Sequence, residues 1–225
     1  MKFDTEKQMK IVAKESLPSA FHDSDFEIVS EFDYGVGRTD IVLANISEPY
    51  WDRRVNRLDI DRPITEKNQL IAFLQLHNKR DPVTEKHFYS IGALKARYKR
   101  RALDWLKNNK FVVQNEDGRI QTAPYLRRHV TTTVAVELKL RKWRSALRQA
   151  SRGRSFAEYK YVVIDHDNVD PALSHLGEFK SNNVGLISLD EAGTCYKHYD
   201  PDRGTPHSDL YQWKLNETSM LAKST

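Results

Sequence analysis

The sequence has a single cysteine and no long apolar run, and both absences restrict the kind of protein it can be. Cys195 has no second cysteine to pair with, which argues against a disulfide-stapled secreted domain and against a cysteine-based zinc site. Apolar runs such as residues 133–136 are strand-sized, far short of the roughly 20 residues that span a bilayer. The opening residues MKFDTEKQMK lack the apolar segment of a secretory signal. We therefore expect a cytoplasmic protein without a membrane partner.

Several catalytic motifs are also missing. The eight histidines show neither HExxH nor HxH spacing. Gly35 and Gly37 are not followed by the third glycine and the helix start of a dinucleotide-binding loop, and they are more typical of a hairpin turn. Cys195 lies near His198, but no acyl-transfer motif surrounds this potential nucleophile. What remains to explain is a pattern of charges and carboxylates.

The charge of the 225-residue chain is positive and uneven. Thirty-six lysines and arginines face 31 acids, a formal net charge of +5. Basic residues crowd into 95–101, 127–128 and 140–154, whereas acids concentrate near both ends. Such clusters either bind a polyanion or form ordinary solvated helix faces.

The length of the chain allows one or two domains.

Apolar periodicity predicts that the fold opens with a helix and a β-hairpin. Residues 5–17 have an amphipathic pattern that Pro18 should end, and a polar turn at 22–25 follows. β-rich runs at 26–32 and 39–44 flank the glycine-containing turn. The first elements are therefore helix, strand, strand.

An α/β alternation follows much later in the chain, which indicates that the first fold resumes after an interruption. It predicts a mixed sheet with helical cover. The predicted elements are a strand at 130–140, a helix at 141–151, a strand at 160–164, a helix near 171–179, a strand at 184–189 and a last helix at 208–221.

The interruption itself predicts a separate module. Residues 48–63 contain prolines and scattered charges without a clear period, as expected of a linker. Three helices and two short strands come next, at 65–77, 84–90, 91–108, 111–114 and 119–122. This set is typical of a winged helix. We therefore predict a discontinuous core of residues 1–55 and 126–225 and a winged-helix module of residues 56–125.

Three charged residues fall on two of the predicted core strands. Asp40 begins the second strand of the hairpin, and Glu137 and Lys139 end the long strand after residue 130. Because side chains alternate along a strand, Glu137 and Lys139 should share one face of the sheet, while Leu138 points into packed structure. The acids and the lysine can thus face one site.

This arrangement resembles the PD-(D/E)XK, or restriction-endonuclease-like, nuclease superfamily. Its motif is an acid at the start of one strand and acid-x-Lys on the neighbouring strand, here Asp40 and Glu137-Leu138-Lys139, followed by a helix and another strand. The resemblance covers residues 4–46 and 130–190, and the module accounts for the wide gap. It implies an α/β fold in which a restriction-endonuclease-like mixed sheet, flanked by helices, is interrupted by a winged helix-turn-helix insertion.

The resemblance also implies chemistry. Asp40 and Glu137 would hold Mg²⁺ or Mn²⁺, assisted by the backbone carbonyl of Leu138 and by water, because Mg²⁺ favours oxygen ligands. Lys139 would orient the attacking water or offset charge on the transition state. A simpler alternative exists for each part: acid-x-Lys is common at solvated strand ends, and Asp40 could cap its own turn.

Further site residues follow from the same resemblance. Many members carry an additional helix acid, for which Glu6 is the candidate and Glu15 ranks second. Some use a glutamine on the helix after the motif, where Gln149 stands. The alternatives are a first-turn acid that complements the helix dipole for Glu6 and an ordinary helix-surface residue for Gln149.

The inserted module suggests how DNA is found. Its third helix would enter the major groove and its wing at 115–118 would approach the backbone. The side chains expected to contact phosphates or base edges are those of Lys95, Arg97, Arg100 and Arg101.

We expect a Mg²⁺-dependent DNA endonuclease that serves restriction, defence or repair. If it cuts both strands of the DNA, we expect a homodimer. One alternative is a non-cleaving DNA-binding transcriptional regulator that uses the nuclease fold as a scaffold. In another, the module at 65–122 recruits a partner protein.

Overall fold

A computed structural model describes residues 2–21 and 26–223. The chain forms two compact units: Met1–Ile46 with Val130–Leu215, and Ser47–His129 with Asn216–Ser224. The predicted boundaries, at 55/56 and 125/126, lie inside the second unit, which also includes residues 216–223. The polar turn predicted at 22–25 lies outside the described residues.

The elements alternate between helix and strand at both ends of the chain. In chain order they are α1 (Glu6–Ala20), β1 (Phe26–Asp33), β2 (Arg38–Ile46), α2 (Glu48–Asp52), α3 (Lys67–His77), α4 (Glu85–Ser90), α5 (Ala96–Asn108), β3 (Val112–Gln114), β4 (Ile120–Thr122), β5 (Val130–Lys139), α6 (Trp143–Arg152), β6 (Tyr159–Asp165), α7 (Asp170–Leu173), α8 (Leu176–Asn182), β7 (Gly185–Leu189), β8 (Cys195–Tyr199) and α9 (Asp209–Lys223). A π-helical turn at Arg53–Arg57 follows α2 directly.

A six-stranded mixed sheet in the order β1-β2-β5-β6-β7-β8 forms the first unit. β5, β6 and β7 run parallel, whereas β1–β2, β2–β5 and β7–β8 pair antiparallel. An α/β fold with a mixed sheet flanked by helices is therefore confirmed. Because β2 and β5 are antiparallel, the start of β2 lies at the same edge of the sheet as the end of β5.

Helices cover both faces of this sheet. On one face, Met9, Ala13 and Leu17 of α1 pack into a buried cluster with side chains that include Val136 and Leu138 of β5. On the other face, a second cluster joins α6 and α8 to β6 and β7. Leu138 is buried, as the period of two along the strand predicted.

Two predictions for the first unit were wrong, and one element was missed. Pro18 does not end α1, which continues to Ala20; a proline in the last turn removes only one N–H donor. The helix predicted near 171–179 is divided into α7 and α8. β8 was not predicted at all.

The second unit contains α2 to α5 and a two-stranded antiparallel sheet of β3 and β4. Thr84 caps α4 as expected, since its side-chain oxygen accepts a hydrogen bond from the His87 N–H at 3.2 Å. α5 begins at Ala96 rather than at residue 91, because Gly92 has a φ of +73°, which breaks the helical path. The segment 48–63, predicted as a linker, contains α2 and the π-helical turn.

No helix within residues 2–21 and 26–223 is long and apolar enough to cross a membrane.

Candidate active site

Asp40 lies directly beside the acid-x-Lys strand end. The pairing of β2 with β5 stops at Ile41 opposite Val136, and Asp40 and Glu137 are the next residues on the two strands. Oδ2 of Asp40 accepts a hydrogen bond from the backbone N–H of Leu138 at 2.9 Å. The side chain thus continues the contact between the strands and fixes one carboxylate oxygen next to Glu137.

Glu137 is a buried carboxyl group, only 2% exposed. Burial raises its pKa to about 8, and the charge of Asp40 adds to this effect, while Lys139 and a hydrogen bond from the Thr39 side chain act in the opposite direction. A further hydrogen bond with Asp40 favours the protonated form. Oε1 of Glu137 is buried without a hydrogen-bond partner among the described residues. The site therefore brings two carboxyl groups together, one of them fully buried.

Lys139 connects this pair of acids to the first helix. Its Nζ lies 3.1 Å from Oε2 of Glu6, in the first turn of α1. The lysine side chain is 17% exposed and the glutamate side chain 51%. The cluster of Glu6, Asp40, Glu137 and Lys139 consequently opens to solvent on the side of Glu6.

The other two candidates lie apart from this cluster. Glu15 is exposed, further along α1. Gln149 lies on α6 and is partly buried, and within the described residues its Oε1 has no hydrogen-bond partner. No hydrogen bond between described residues joins Gln149 to Asp40, Glu137 or Lys139.

Two buried residues next to Glu137 were not identified from the sequence. The Thr39 side chain hydrogen-bonds to Glu137, and Tyr34 lies close enough for the Glu137 charge to raise the pKa of its hydroxyl, on which burial has the largest effect. Both are 1% exposed. Their position within a few residues of Asp40 was a signal, but a threonine and a tyrosine near a hairpin turn are equally expected from strand propensity.

The two carboxylates fit a divalent cation. Hard oxygen donors suit Mg²⁺ and Mn²⁺. A buried carboxylate oxygen without a hydrogen-bond partner, such as Oε1 of Glu137, is what we expect of an atom that binds a metal ion. Within the described ranges no group of three or more His, Cys, Asp or Glu side chains is placed to hold a metal. A metal at this site would therefore need further ligands from backbone or water, such as the carbonyl of Leu138.

The four basic residues predicted to contact DNA are all exposed in the second unit: Lys95, Arg97, Arg100 and Arg101. The Arg97 guanidinium lies over the neighbouring Tyr98 ring at 4.7 Å. In contrast, Lys99 within the same run is 1% exposed and donates to the carbonyls of Phe88 and Tyr89, each at 3.1 Å. Lys99 therefore holds α4 against α5, whereas its neighbours face solvent.

Comparison with models of protein families, with curated proteins and with solved structures found no match to this chain.

Proposed function

We propose that the first unit is a metal-dependent nuclease with a restriction-endonuclease-like fold, and that the second unit is a winged helix-turn-helix module that locates DNA. The observation that carries the proposal is the 2.9 Å hydrogen bond from the Leu138 N–H to Asp40. It puts an acid from the start of one strand in contact with acid-x-Lys at the end of the next. Chance occurrences of the tripeptide have no reason to meet such a partner.

The chemistry would be hydrolysis of a phosphodiester bond. Asp40 and Glu137 would hold Mg²⁺ or Mn²⁺, with the Leu138 carbonyl as a further ligand. When bound, the ion polarises the phosphate and lowers the pKa of a water molecule. Water would add to phosphorus through its oxygen, the bond from phosphorus to one sugar oxygen would break, and the proton lost by the water would end on that sugar oxygen as a hydroxyl group.

Lys139 supplies a positive charge at the open side of the site. Its ammonium group can orient the attacking water and offset the negative charge that develops on the phosphoryl oxygens. Glu6, at 3.1 Å, holds the ammonium group in position. Thr39 and Asp40, on the neighbouring strand, act on the Glu137 carboxyl group in opposite directions: Thr39 lowers its pKa and Asp40 raises it.

The second unit would bring DNA to the protein. In a winged helix-turn-helix module, α5 enters the major groove and the β3–β4 hairpin approaches the backbone. The exposed Lys95, Arg97, Arg100 and Arg101 are placed on α5 or at its start, where they can contact phosphates or base edges.

The test is cleavage by two site variants and two matched controls. We expect Asp40→Asn and Lys139→Met to reduce Mn²⁺- or Mg²⁺-dependent cleavage at least ~100-fold, because each removes a charge that acts in the transition state. Asp202→Asn and Lys180→Met, exposed on the same unit, should cleave as the unchanged protein does. Supercoiled, linear, single-stranded and RNA substrates should all be tried, with melting curves to check folding. Undiminished cleavage by the site variants would refute the proposal.

Binding measurements separate the proposal from its two alternatives. Tight binding to duplex DNA, with no Mn²⁺ affinity by calorimetry and no nicking, would indicate a non-cleaving regulator. For the second unit, Arg97→Gln with Arg100→Gln should weaken DNA binding and flatten its salt dependence. Unaltered DNA affinity in that double variant would instead indicate a module that recruits a protein.

A further inference from the structure

α6 carries a continuous stripe of arginines on its outer face. At about 100° per residue, Arg144, Arg148 and Arg152 lie within about 80° of the helix circumference, and Arg141 comes just before the helix. All four are exposed. The opposite side of the helix buries Trp143, Ala146, Leu147 and Ala150 against the sheet. The stripe therefore points away from the core along the whole helix.

The charges of this arginine stripe are poorly compensated. Arg144 has one acid nearby, with Oε1 of Glu178 at 3.7 Å from its Nη2. Among the described residues, Arg141, Arg148 and Arg152 make no ion pair with an acid, and α6 itself contains no acidic residue. The positive charges of these three arginines are therefore not offset by nearby acids, as charges on helix faces often are.

The arrangement is also unfavourable for the helix. Arg144 and Arg148, and again Arg148 and Arg152, are like charges at i and i+4, which repel each other. Arg141 and Arg144 place positive charge near the helix N-terminus, where the dipole favours anions. A stripe that opposes helix stability in both respects is better explained by a bound polyanion than by solubility.

The arginine stripe begins at the candidate active site. Arg141 comes two residues after Lys139, at the end of β5. A surface pocket of about 490 Å³ continues from there, lined by Lys2, Arg141 and Lys142 and also by Asp4 and Glu6. Glu6 is the ion-pair partner of Lys139. The positive surface and the carboxylate cluster are thus adjacent on one unit.

We propose that this stripe binds the phosphate backbone of the nucleic acid and leads it to the carboxylate cluster. From Arg144 to Arg152 the stripe is about 12 Å long, at ~1.5 Å per residue. One strand of B-DNA presents about three to four phosphates over that length, at ~3.4 Å per phosphate. This inference rests on the proposed function, and it gives the nuclease unit a DNA contact of its own, independent of α5.

The experiment is a salt titration of DNA binding by the full-length chain in EDTA, so that no cleavage is needed. Arg148→Gln with Arg152→Gln should lower the affinity for a 25-base-pair duplex about 10-fold and flatten the slope of log K against log [salt] by about 2, at ~0.9 per phosphate contact. The melting temperature should not fall, since a repulsive pair is removed.

Two further double variants serve as controls. Lys180→Gln with Arg203→Gln removes two exposed positive charges from the same unit and should leave the slope unchanged. Arg148→Lys with Arg152→Lys keeps the charge and should keep the slope. Equal losses in the two glutamine doubles, an unchanged slope in the α6 double, or binding to heparin but not to DNA would overturn the inference.

The DNA-binding results for the α6 variants can be distinguished from the cleavage results that test the proposed function. DNA binding through α6 without any cleavage would contradict the nuclease and leave this binding surface standing. Cleavage by the protein, with wild-type DNA affinity in the Arg148→Gln and Arg152→Gln double, would contradict the binding surface and leave the nuclease standing.

Discussion

Burial in the second unit strongly lowers the pKa of one residue, His129. It is fully buried, and its Nε2 lies 3.1 Å from the Ser219 hydroxyl oxygen. Burial, reinforced by the charge of Arg54, lowers the pKa of His129 to about 3. Nδ1 of the ring is buried without a hydrogen-bond partner among the described residues. The imidazole is therefore neutral in the folded protein throughout the range from pH 5 to 8.

This burial makes the second unit sensitive to acid. In the unfolded chain a histidine has a pKa near 6.5, so between pH 6.5 and 3 the unfolded state binds more protons than the folded state. Stability is therefore fully present above pH 6.5 and is lost as the pH falls. We expect His129 to cost ~2 kcal/mol between pH 7 and pH 5, at ~1.4 kcal/mol per pH unit below 6.5.

The measurement is denaturant unfolding at pH 7 and pH 5 for the unchanged protein and for His129→Asn. The asparagine variant does not titrate in this range, so it should be less stable at pH 7 but lose less stability at pH 5. Since the carboxylates titrate in both proteins, the difference between them isolates the histidine. Parallel losses in the two proteins would show that His129 is protonated without penalty.

At the scale of elements, one buried ion pair joins the π-helical turn at Arg53–Arg57 to α9. Arg54 is 0% exposed and Glu217 2%. The guanidinium donates to both carboxylate oxygens at 2.6 and 2.7 Å. Oε2 of Glu217 also accepts from the Ile64 N–H at 2.7 Å. The end of the chain is therefore tied into the second unit through one carboxylate.

Breaking this pair from one side should be costly. Glu217→Gln leaves the guanidinium buried without a counter-charge, so we expect a loss of ~3–5 kcal/mol in the free energy of unfolding. Arg54→Met with Glu217→Leu removes both charges and should be more stable than Glu217→Gln alone. Asp52→Asn, which loses the exposed pair with Arg57, should leave the unfolding midpoint unchanged. A Glu217→Gln variant as stable as Asp52→Asn would contradict this account.

The sequence predicted the elements whose signal is local. The β-branched runs of β1, β2, β5, β6 and β7 and the cap at Thr84 follow from side-chain sterics and short-range hydrogen bonds. β8 has no such signal, because its residues CYKHY lie at a sheet edge and are exposed or partly exposed. Its strand conformation depends on pairing with β7, which the local sequence does not reveal.

The residues of the candidate site could be predicted from the sequence, but the contacts between them could not. Asp40, Glu137 and Lys139 could be chosen from spacing, whereas the hydrogen bond from Leu138 to Asp40 depends on the register of β2 against β5. Lys99 makes the same point for the second unit. It looks like part of a basic DNA-binding run, but its ammonium group satisfies the carbonyls that end α4.

At the scale of the whole molecule, the positive charge is divided between the two units. The net charge of +5 is modest, so the DNA binding that we propose would depend on the local clusters on α5 and α6. The described residues contain one candidate cleavage site per chain. Cutting both strands of a duplex would therefore require either two chains or two successive binding and cleavage events by one chain.

We expect the protein to nick supercoiled plasmid first and to linearise it later, because one site cuts one strand at a time. With DNA in excess of protein, open circles should accumulate, and the rate of linearisation should rise more steeply than in proportion to protein concentration. Asp40→Asn protein added to the unchanged protein should not speed the second cut, since it contributes no active site. Linear DNA that forms at the lowest protein concentration without open circles would instead mean that two chains act as a preformed homodimer.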